Sequence, residues 1–426
     1  MDRVITSLLL ILTFFLAQQI PALSQTQAVY EFQNGRWFNG NTFTVKTFYS
    51  AAGRLTSRRP AQVDSVIDLT GKYVIPPFGE AHNHNLSGAS GLQAQITMYL
   101  RDGVFYSKNL HYVREFTALI LNRVNLPSSV DVAYAHAGLV ASGGHAVELY
   151  ERLYDRGVFP GWRKEDLDTR AFFIIDTEND LNKKWPLILA GKPDFIKTYL
   201  EHSEEYEKRK ADPKYYGHRG LNPALLKMIV RKAHKAGLSV STHIETAADF
   251  HNALLAGVDE IAHLPGYRID KGEDISKYQI SDKDAQLAAR KGVFVVTTTI
   301  LSSGLYRSDP QQLKIIQENQ AHNIKVLTKR GVKIALGSDT LNATSLAEAM
   351  NLHNLKIFNN LTLLKLLCEN TASSVFPNRK IGHLRDGYEA SFLALEENPI
   401  DDFRNIKRIV IRFKQGEMLN LSQSKQ

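Results

Sequence analysis

The feature that most constrains the fold is a repeated unit of helix and strand in the second half of the chain. In its clearest copy, Asn222 is a good N-cap and Pro223 suits the first helical position. Apolar residues then recur at helical spacing over 225–233, and Gly237 ends the helix before an apolar strand at 238–243. This alternation is typical of a parallel α/β fold.

Other segments show the same alternation of strand and helix. They are strand 130–135, helix 178–190, strand 194–199, helix 246–256, strand 258–263, helix 282–291, strand 293–299, helix 310–330, strand 332–338 and helix 361–375. The chain has 426 residues, which suits a barrel of roughly 250–300 residues and one smaller module. We therefore predict an α/β protein whose main domain is a (β/α)₈ TIM barrel over 77–384.

The two ends of the chain have a different sequence pattern. Short β patterns separated by turn residues fill about 27–76, and apolar strands return at 392–395 and 408–413. We predict that 25–76 and 385–426 together form a small discontinuous β-sandwich domain.

The first 24 residues have the pattern of a cleaved secretory signal peptide. A short charged start precedes an apolar run from Val4 to Leu16, and Ala22-Leu23-Ser24 supplies the small-x-small end. An uncleaved anchor is the alternative, but the run is short for a membrane span. We expect an exported protein, periplasmic or secreted, without stable membrane insertion of the mature chain.

Charge and cysteine content narrow the classes of function. The formal net charge is +8, but the basic residues are scattered and form no long run with interleaved aromatics. We therefore expect no nucleic-acid partner. The lone Cys368 lies in an apolar helical segment and permits no intrachain disulfide. These features agree with a small-molecule substrate. They do not distinguish a monomer from a homo-oligomer.

Five residues with metal-binding side chains fall at predicted strand ends. His82 and His84 form a His-x-His pair whose side chains would point the same way in a strand. His243, His263 and Asp339 each end a later strand. Because strand C-termini converge on the mouth of a (β/α)₈ barrel, these residues predict a site for Zn²⁺ or a similar ion.

Lys197 ends a further strand in the same predicted barrel. A protonated lysine cannot bind a cation, but burial and nearby metals lower a lysine pKa. The free amine can then react with CO₂ to give an anionic carbamate that bridges two metals. The alternative is a lysine that binds substrate or forms a salt bridge.

The complete motif set resembles the amidohydrolase superfamily, in the branch similar to imidazolonepropionase-like proteins and metal-dependent Xaa-Pro dipeptidases. The resemblance covers nearly all of the mature chain. The matching segments are His82-Asn83-His84, Phe195-Ile196-Lys197, His243, His263, Gly337-Ser338-Asp339, Asn370-Thr371-Ala372-Ser373, 382–387, Asn398-Pro399 and Lys414-Gln415-Gly416.

The resemblance implies roles for these residues. His82 and His84 would hold the more buried of two divalent metals, which we expect to be zinc ions, and His243 and His263 would hold the second. The CO₂-derived carbamate of Lys197 would bridge both metals. Asp339 would contact the first metal and act as general acid and base for attack of hydroxide on an amide carbonyl.

The resemblance does not identify the substrate, because three segments depart from the family pattern. These are Pro76-Pro77-Phe78, 103–108 and Ala390-Ser391. A loop after the fourth strand carries Tyr216, His218 and Arg219, and the arginine could bind a substrate carboxylate through its planar fork. His145, in a loop after the third strand, could also line the pocket.

Three hypotheses for the function follow. The first is a binuclear hydrolase of amide bonds in a dipeptide, an N-acyl amino acid or a cyclic amide. The second is a mononuclear deaminase of the same superfamily, which would leave Lys197 without a metal role. The third is a non-catalytic binding protein on the same fold.

Overall fold

A computed structural model describes residues 27–421, so the predicted signal peptide at 1–24 lies outside the described residues. The strands are β1 (Tyr30–Phe38), β2 (Phe43–Ala51), β3 (Arg54–Thr56), β4 (Ser65–Asp68), β5 (Tyr73–Ile75), β6 (Phe78–Asn83), β7 (Val104–Asn109), β8 (Asp131–Tyr134), β9 (Gly138–Val140), β10 (Phe172–Ile174), β11 (Phe195–Tyr199), β12 (Ser239–His243), β13 (Glu260–Ala262), β14 (Phe294–Thr297), β15 (Lys333–Leu336), β16 (Phe392–Leu395), β17 (Ile409–Lys414) and β18 (Glu417–Met418).

The helices surround these strands. They are α1 (Leu92–Arg101), α2 (Arg114–Ala118), α3 (His145–Asp155), α4 (Glu178–Ala190), α5 (Tyr206–Arg209), α6 (Pro223–Lys235), α7 (Ala247–Ala256), α8 (Asp282–Lys291), α9 (Thr299–Leu305), α10 (Pro310–Lys329), α11 (Ser345–Asn354), α12 (Asn360–Lys365) and α13 (Thr371–Val375). Within 27–421, none of them is long and apolar enough to span a bilayer.

A ring of parallel strands forms the centre of the molecule. Strands β6, β7 and β8 pair in that order, and β11 to β15 pair in chain order. The backbone N–H of Asp339 donates to the carbonyl of His82 at 2.9 Å, and the N–H of Asp194 donates to the carbonyl of Tyr134 at 2.8 Å. These bonds join the two sheets at both ends, so the ring closes and confirms the predicted (β/α)₈ barrel. The short strands β9 and β10 extend the sheet beside β11.

The helix around Pro223 shows how sequence sets the local structure. The Asn222 side chain accepts from the Ala224 N–H at 2.9 Å, and proline occupies the first turn. The buried residues of this helix are Leu225, Leu226, Ile229, Val230 and Ala233. They are the residues that the periodicity places on one face, and they pack into the barrel core.

The ends of the chain share one branched sheet. Strands β16, β17 and β18 continue β5, β1, β2 and β3, while β4 pairs with β1. The sheet has its own aromatic core, in which Phe32 lies edge-on to Phe392 and Phe413 at ring-centroid distances of 4.8 and 5.0 Å. A buried ion pair joins this sheet to the barrel, because Lys414 Nζ lies 2.7 Å from Asp131 Oδ1.

Two segments differ from the simplest interpretation of the pattern. The apolar segment before the His-x-His pair, Tyr73–Ile75, pairs with β16 in the terminal sheet, and His82 lies on the separate strand β6. The predicted helix at 361–375 is interrupted by a wider π turn at Leu366–Asn370. There the Thr371 hydroxyl donates to the Leu366 carbonyl at 2.6 Å and accepts from the Leu336 N–H at 2.9 Å, which ties the turn to β15.

Candidate metal centre

The six residues predicted to hold metal meet in one cavity. Its volume is about 280 Å³, and its lining includes His82, His84, Lys197, His243, His263 and Asp339. Lys197 is the middle residue of β11 rather than its last, and the other five lie near or just beyond the C-terminal ends of β6, β12, β13 and β15. The barrel topology therefore brings them together, as parallel strands of this fold require.

Asp339 lies among three imidazoles. Its carboxylate oxygens are 3.7 Å from His82 Nε2, 3.4 Å from His84 Nε2 and 3.8 Å from His263 Nε2. Burial raises the pKa of Asp339, while His84 and Lys197 oppose the shift. The group offers nitrogen and oxygen donors around one point, which is the ligand chemistry that Zn²⁺ accepts.

Lys197 lies within the same ring of strands and is 1% exposed. Its Nζ has no hydrogen-bond partner among the described residues and lies 5.0 Å from the centroid of the Tyr199 ring. Burial lowers the pKa of Lys197 to about 7, with Asp339 and Glu260 opposing the shift. The cavity therefore favours the neutral amine.

The second nitrogen of three imidazoles is held by the protein. His84 Nδ1 donates to the His111 carbonyl at 3.0 Å, and His263 Nδ1 lies 2.7 Å from the Thr298 hydroxyl. His243 Nε2 lies 3.2 Å from Glu245 Oε1. Partners of this kind fix the ring orientation of metal-binding histidines and leave the other nitrogen available as a ligand.

Backbone geometry marks two of these residues. His263 and Asp339 have φ angles of 73° and 47°, in the left-handed region that side chains other than glycine rarely adopt. Such a conformation costs on the order of 1–3 kcal/mol unless its surroundings enforce it. It turns the chain at the ends of β13 and β15, where both side chains line the cavity.

The carboxylate of Glu80 connects β6 to the segment that follows β15, the last strand of the barrel. This carboxylate accepts from the N–H of His82 at 3.2 Å, and from the N–H and hydroxyl of Ser338 at 2.9 and 2.8 Å. Burial raises its pKa to about 8. Gly337 is required beside it, since a Cβ there would lie 2.6 Å from the Cβ of His82.

The four residues predicted to bind substrate separate in the structure. His145 lines the cavity, and its ring centroid is 4.4 Å from that of His243. Tyr216 and Arg219 lie outside the cavity lining, where the tyrosine donates to Glu151 at 2.6 Å and the arginine donates to the Asp212 carbonyl at 2.6 Å. His218 faces a neighbouring cavity and lies 3.1 Å from Glu201. Their substrate roles stay predictions.

Several residues in or beside the metal cavity were not predicted. Glu245 accepts from the Tyr267 hydroxyl at 2.7 Å on the oxygen that also faces His243, and Arg268 follows on the same loop. The pattern His243-x-Glu245 at the end of a strand could have indicated the carboxylate, because residues two apart share a side. Nothing in the sequence distinguished Arg268 from the other arginines.

Two groups of three residues bring their ligand atoms within 4.8 Å of one another. One contains His82, His263 and Asp339, and the other contains His145, His243 and Glu245. His243 belongs to the second group, and its ring centroid lies 4.7 Å from that of His263 in the first group.

Comparison with known proteins identifies the class. The amidohydrolase family matches residues 190–419, which is more than half of the chain. The chain therefore belongs to the amidohydrolase family, a class of hydrolases.

The individual relatives share low sequence identity with this chain. Ochratoxinase from Aspergillus niger is 29% identical over 205 residues, which are 46% of this chain and only 41% of the relative. The crystal structure of A. niger ochratoxinase superposes with a TM-score of 0.70 at 20% identity, over 92% of this chain and 95% of that one. A prolidase solved with N-methylphosphonate-L-proline has a TM-score of 0.70 at 17% identity, over 92% and 100% of the two chains. At these identities the structural likeness shows the fold alone.

Proposed function

We propose that this chain is a binuclear metal-dependent hydrolase of amide bonds in small molecules. The observation that carries the proposal is one cavity whose lining includes the four predicted histidines, a buried lysine without a hydrogen-bond partner in 27–421, and an aspartate. Family membership and the names of the relatives, an ochratoxinase and a prolidase, support amide bonds as the target.

The residues fit two divalent metals. His82, His84, Asp339 and the carbamate of Lys197 would hold one, and His243, His263 and the same carbamate would hold the other. Lys197 Nζ is a buried polar atom without a hydrogen-bond partner in 27–421, and such an atom costs on the order of 1–3 kcal/mol. Carbamate formation joins the lysine nitrogen to CO₂ and releases one proton, which turns an unfavourable buried amine into a ligand. Four imidazoles favour zinc.

The metals, when bound, supply a water of lowered pKa and polarise the scissile carbonyl. Asp339 would accept the proton of the attacking water and return it to the leaving amine. Its carboxylate oxygens lie 3.7 Å from His82 Nε2 and 3.8 Å from His263 Nε2, which supports this role. His145 lines the wall beside His243, where it can orient the substrate.

The cavity suits a small substrate. About 280 Å³ holds a dipeptide or an N-acyl amino acid, and the lining includes the apolar Leu149, Leu301 and Leu305. We propose these compounds as the substrate class. The predicted signal peptide supports export, so the protein would act on amides outside the cytoplasm.

A mononuclear deaminase of the same superfamily is the second candidate. The compact group of His82, His263 and Asp339 supports it, because this group needs no contribution from Lys197. In that enzyme the lysine would be dispensable for metal binding.

The test is a hydrolysis assay with zinc-loaded protein against dipeptides, N-acyl amino acids and aminopurines. Release of amines from amide substrates, lost on chelation and restored by zinc, is expected. Release of ammonia from aminopurines alone would favour the deaminase. A metal-loaded protein that turns over none of the panel would favour the binding protein.

A further inference from the structure

The loop after β13, residues 264–270, is held in place by buried polar side chains. Gln312 donates to the Ile269 carbonyl at 2.7 Å, Asn319 donates to the Pro265 carbonyl at 2.9 Å, and Ser302 donates to the Tyr267 carbonyl at 2.7 Å. All three donors are buried. The loop therefore has one well-defined conformation at the mouth of the barrel.

Arg268 projects from this fixed loop into the lining of the metal cavity. It is half-buried, and it makes no side-chain hydrogen bond and no ion pair with any residue of 27–421. Its guanidinium carbon lies 5.7 Å from the centroid of the Tyr267 ring. A guanidinium that lines the metal cavity and makes no direct hydrogen bond or ion pair has its five donors available to a planar anion.

Arg219 offers a direct contrast. Its guanidinium already donates to the carbonyls of Asp212 and Ser142, at 2.6 and 3.4 Å, and it lies outside the cavity lining. Arg219, which the sequence analysis assigned to a substrate carboxylate, therefore makes its hydrogen bonds to backbone carbonyls of the protein. Arg268 also lines the neighbouring cavity beside Glu201 and Glu245. Tyr267, Glu245 and Glu201 raise the pKa of Arg268 through their charges, but Arg268 forms no direct ion pair with them.

We propose that Arg268 binds the free carboxylate of the substrate and makes the enzyme selective for amides whose leaving amine is an amino acid. The inference rests on the proposed amide hydrolysis. With the carboxylate on Arg268, the scissile carbonyl faces the metal residues and an apolar side chain contacts Leu149, Leu301 or Leu305. The substrate class is N-acyl amino acids and dipeptides with an apolar C-terminal residue.

The test compares N-acetyl-L-leucine with N-acetyl-L-leucinamide by release of acetate from zinc-loaded protein. A hydrogen-bonded charge pair is worth about 1.5–3 kcal/mol, so Arg268→Met lowers kcat/KM for the acid by about 10- to 150-fold, mainly through KM. The amide, which has no carboxylate, changes by less than about threefold. Arg268→Lys restores part of the loss, and the exposed Arg290→Met changes neither substrate.

Equal losses on both substrates, or no loss on the acid, would overturn the role of Arg268. Selectivity that disappears in Arg219→Met and persists in Arg268→Met would transfer the role to the other arginine. Calorimetric binding of N-acetyl-L-leucine separates this inference from the proposed reaction. Binding that Arg268→Met abolishes supports the anchor even when the wild-type protein releases no acetate, and wild-type protein that binds no acid contradicts it.

Discussion

Glu245 connects the candidate metal centre to its surroundings through a single oxygen. Its Oε1 faces His243 Nε2 at 3.2 Å and accepts from the Tyr267 hydroxyl at 2.7 Å. With Oε1 as the acceptor of both contacts, the hydrogen of His243 lies on Nε2 and the lone pair lies on Nδ1. Glu245 thus sets the tautomer that His243 needs to bind metal through Nδ1.

Glu245→Gln keeps the shape of the side chain and removes its charge. Loss of such a partner weakens metal binding by about 10- to 100-fold, or about 1.4–2.7 kcal/mol. Tyr267→Phe removes one neutral donor to the same oxygen and leaves the charge. Since a neutral hydrogen bond contributes about 0.5–1.5 kcal/mol, we expect the tyrosine variant to lose less than about tenfold.

Competition with a chromophoric chelator measures both affinities, and plasma mass spectrometry measures the number of metals at saturation. We expect weaker binding in Glu245→Gln with an unchanged number of metals. An affinity within twofold of wild type would refute the role of Glu245 in orienting His243. Loss of one metal equivalent at saturation would instead make Glu245 a direct ligand, in the group that it forms with His145 and His243.

Three further predictions concern other residues. Asp339→Asn cannot hold the proton from water, so kcat should fall by about 10²- to 10⁴-fold in a steady-state assay, and a fall below tenfold would contradict the general-base role. Lys197→Met removes the amine that forms the carbamate, so bicarbonate should no longer accelerate reconstitution with zinc; unchanged activity would favour the mononuclear deaminase. Asp131→Asn leaves the fully buried Lys414 without its carboxylate, which should lower the free energy of unfolding in urea by about 3–5 kcal/mol. The paired change Asp131→Leu with Lys414→Met removes the unpaired lysine, while Arg379 loses its 2.7 Å contact with Asp131 and keeps its ion pair with Glu389. Part of the loss should therefore be recovered, and an equal loss in both proteins would contradict the assigned cost.

The barrel could be predicted well where each element satisfies its own local signals. Helix 282–291 and helix 178–190 have the predicted bounds, and β12 ends at His243 as expected. In these segments capping residues, apolar spacing and a following glycine or strand agree with one another. The helices α9 and α11, which follow β14 and β15, were not predicted; Leu301 and Leu305 of α9 line the cavity, whereas α11 packs into the barrel core.

The terminal sheet shows why neighbouring strands in sequence need not share a sheet. Tyr73–Ile75 and Phe78–Asn83 are separated by two residues, yet the first pairs with β16 and the second with β7. Strand partners distant in sequence decide this division, and no local pattern reports them.

The candidate site also has one part that sequence predicts and one part that it does not. The residues that resemble a family motif occupy one cavity, because strand order alone places them there. The substrate side could not be predicted, since loop conformation decides which arginine reaches the cavity. Arg219 and Arg268 both follow barrel strands, but only the second is left without a partner by the bonds of its own loop.

The number of metals per chain tests the central claim most directly. The measurement is plasma mass spectrometry on mature protein purified without chelators. We predict about two metals per chain, held by the four histidines, Lys197 and Asp339. One metal per chain would contradict the carbamate-bridged pair, and none after addition of zinc and bicarbonate would contradict a metal centre in this cavity.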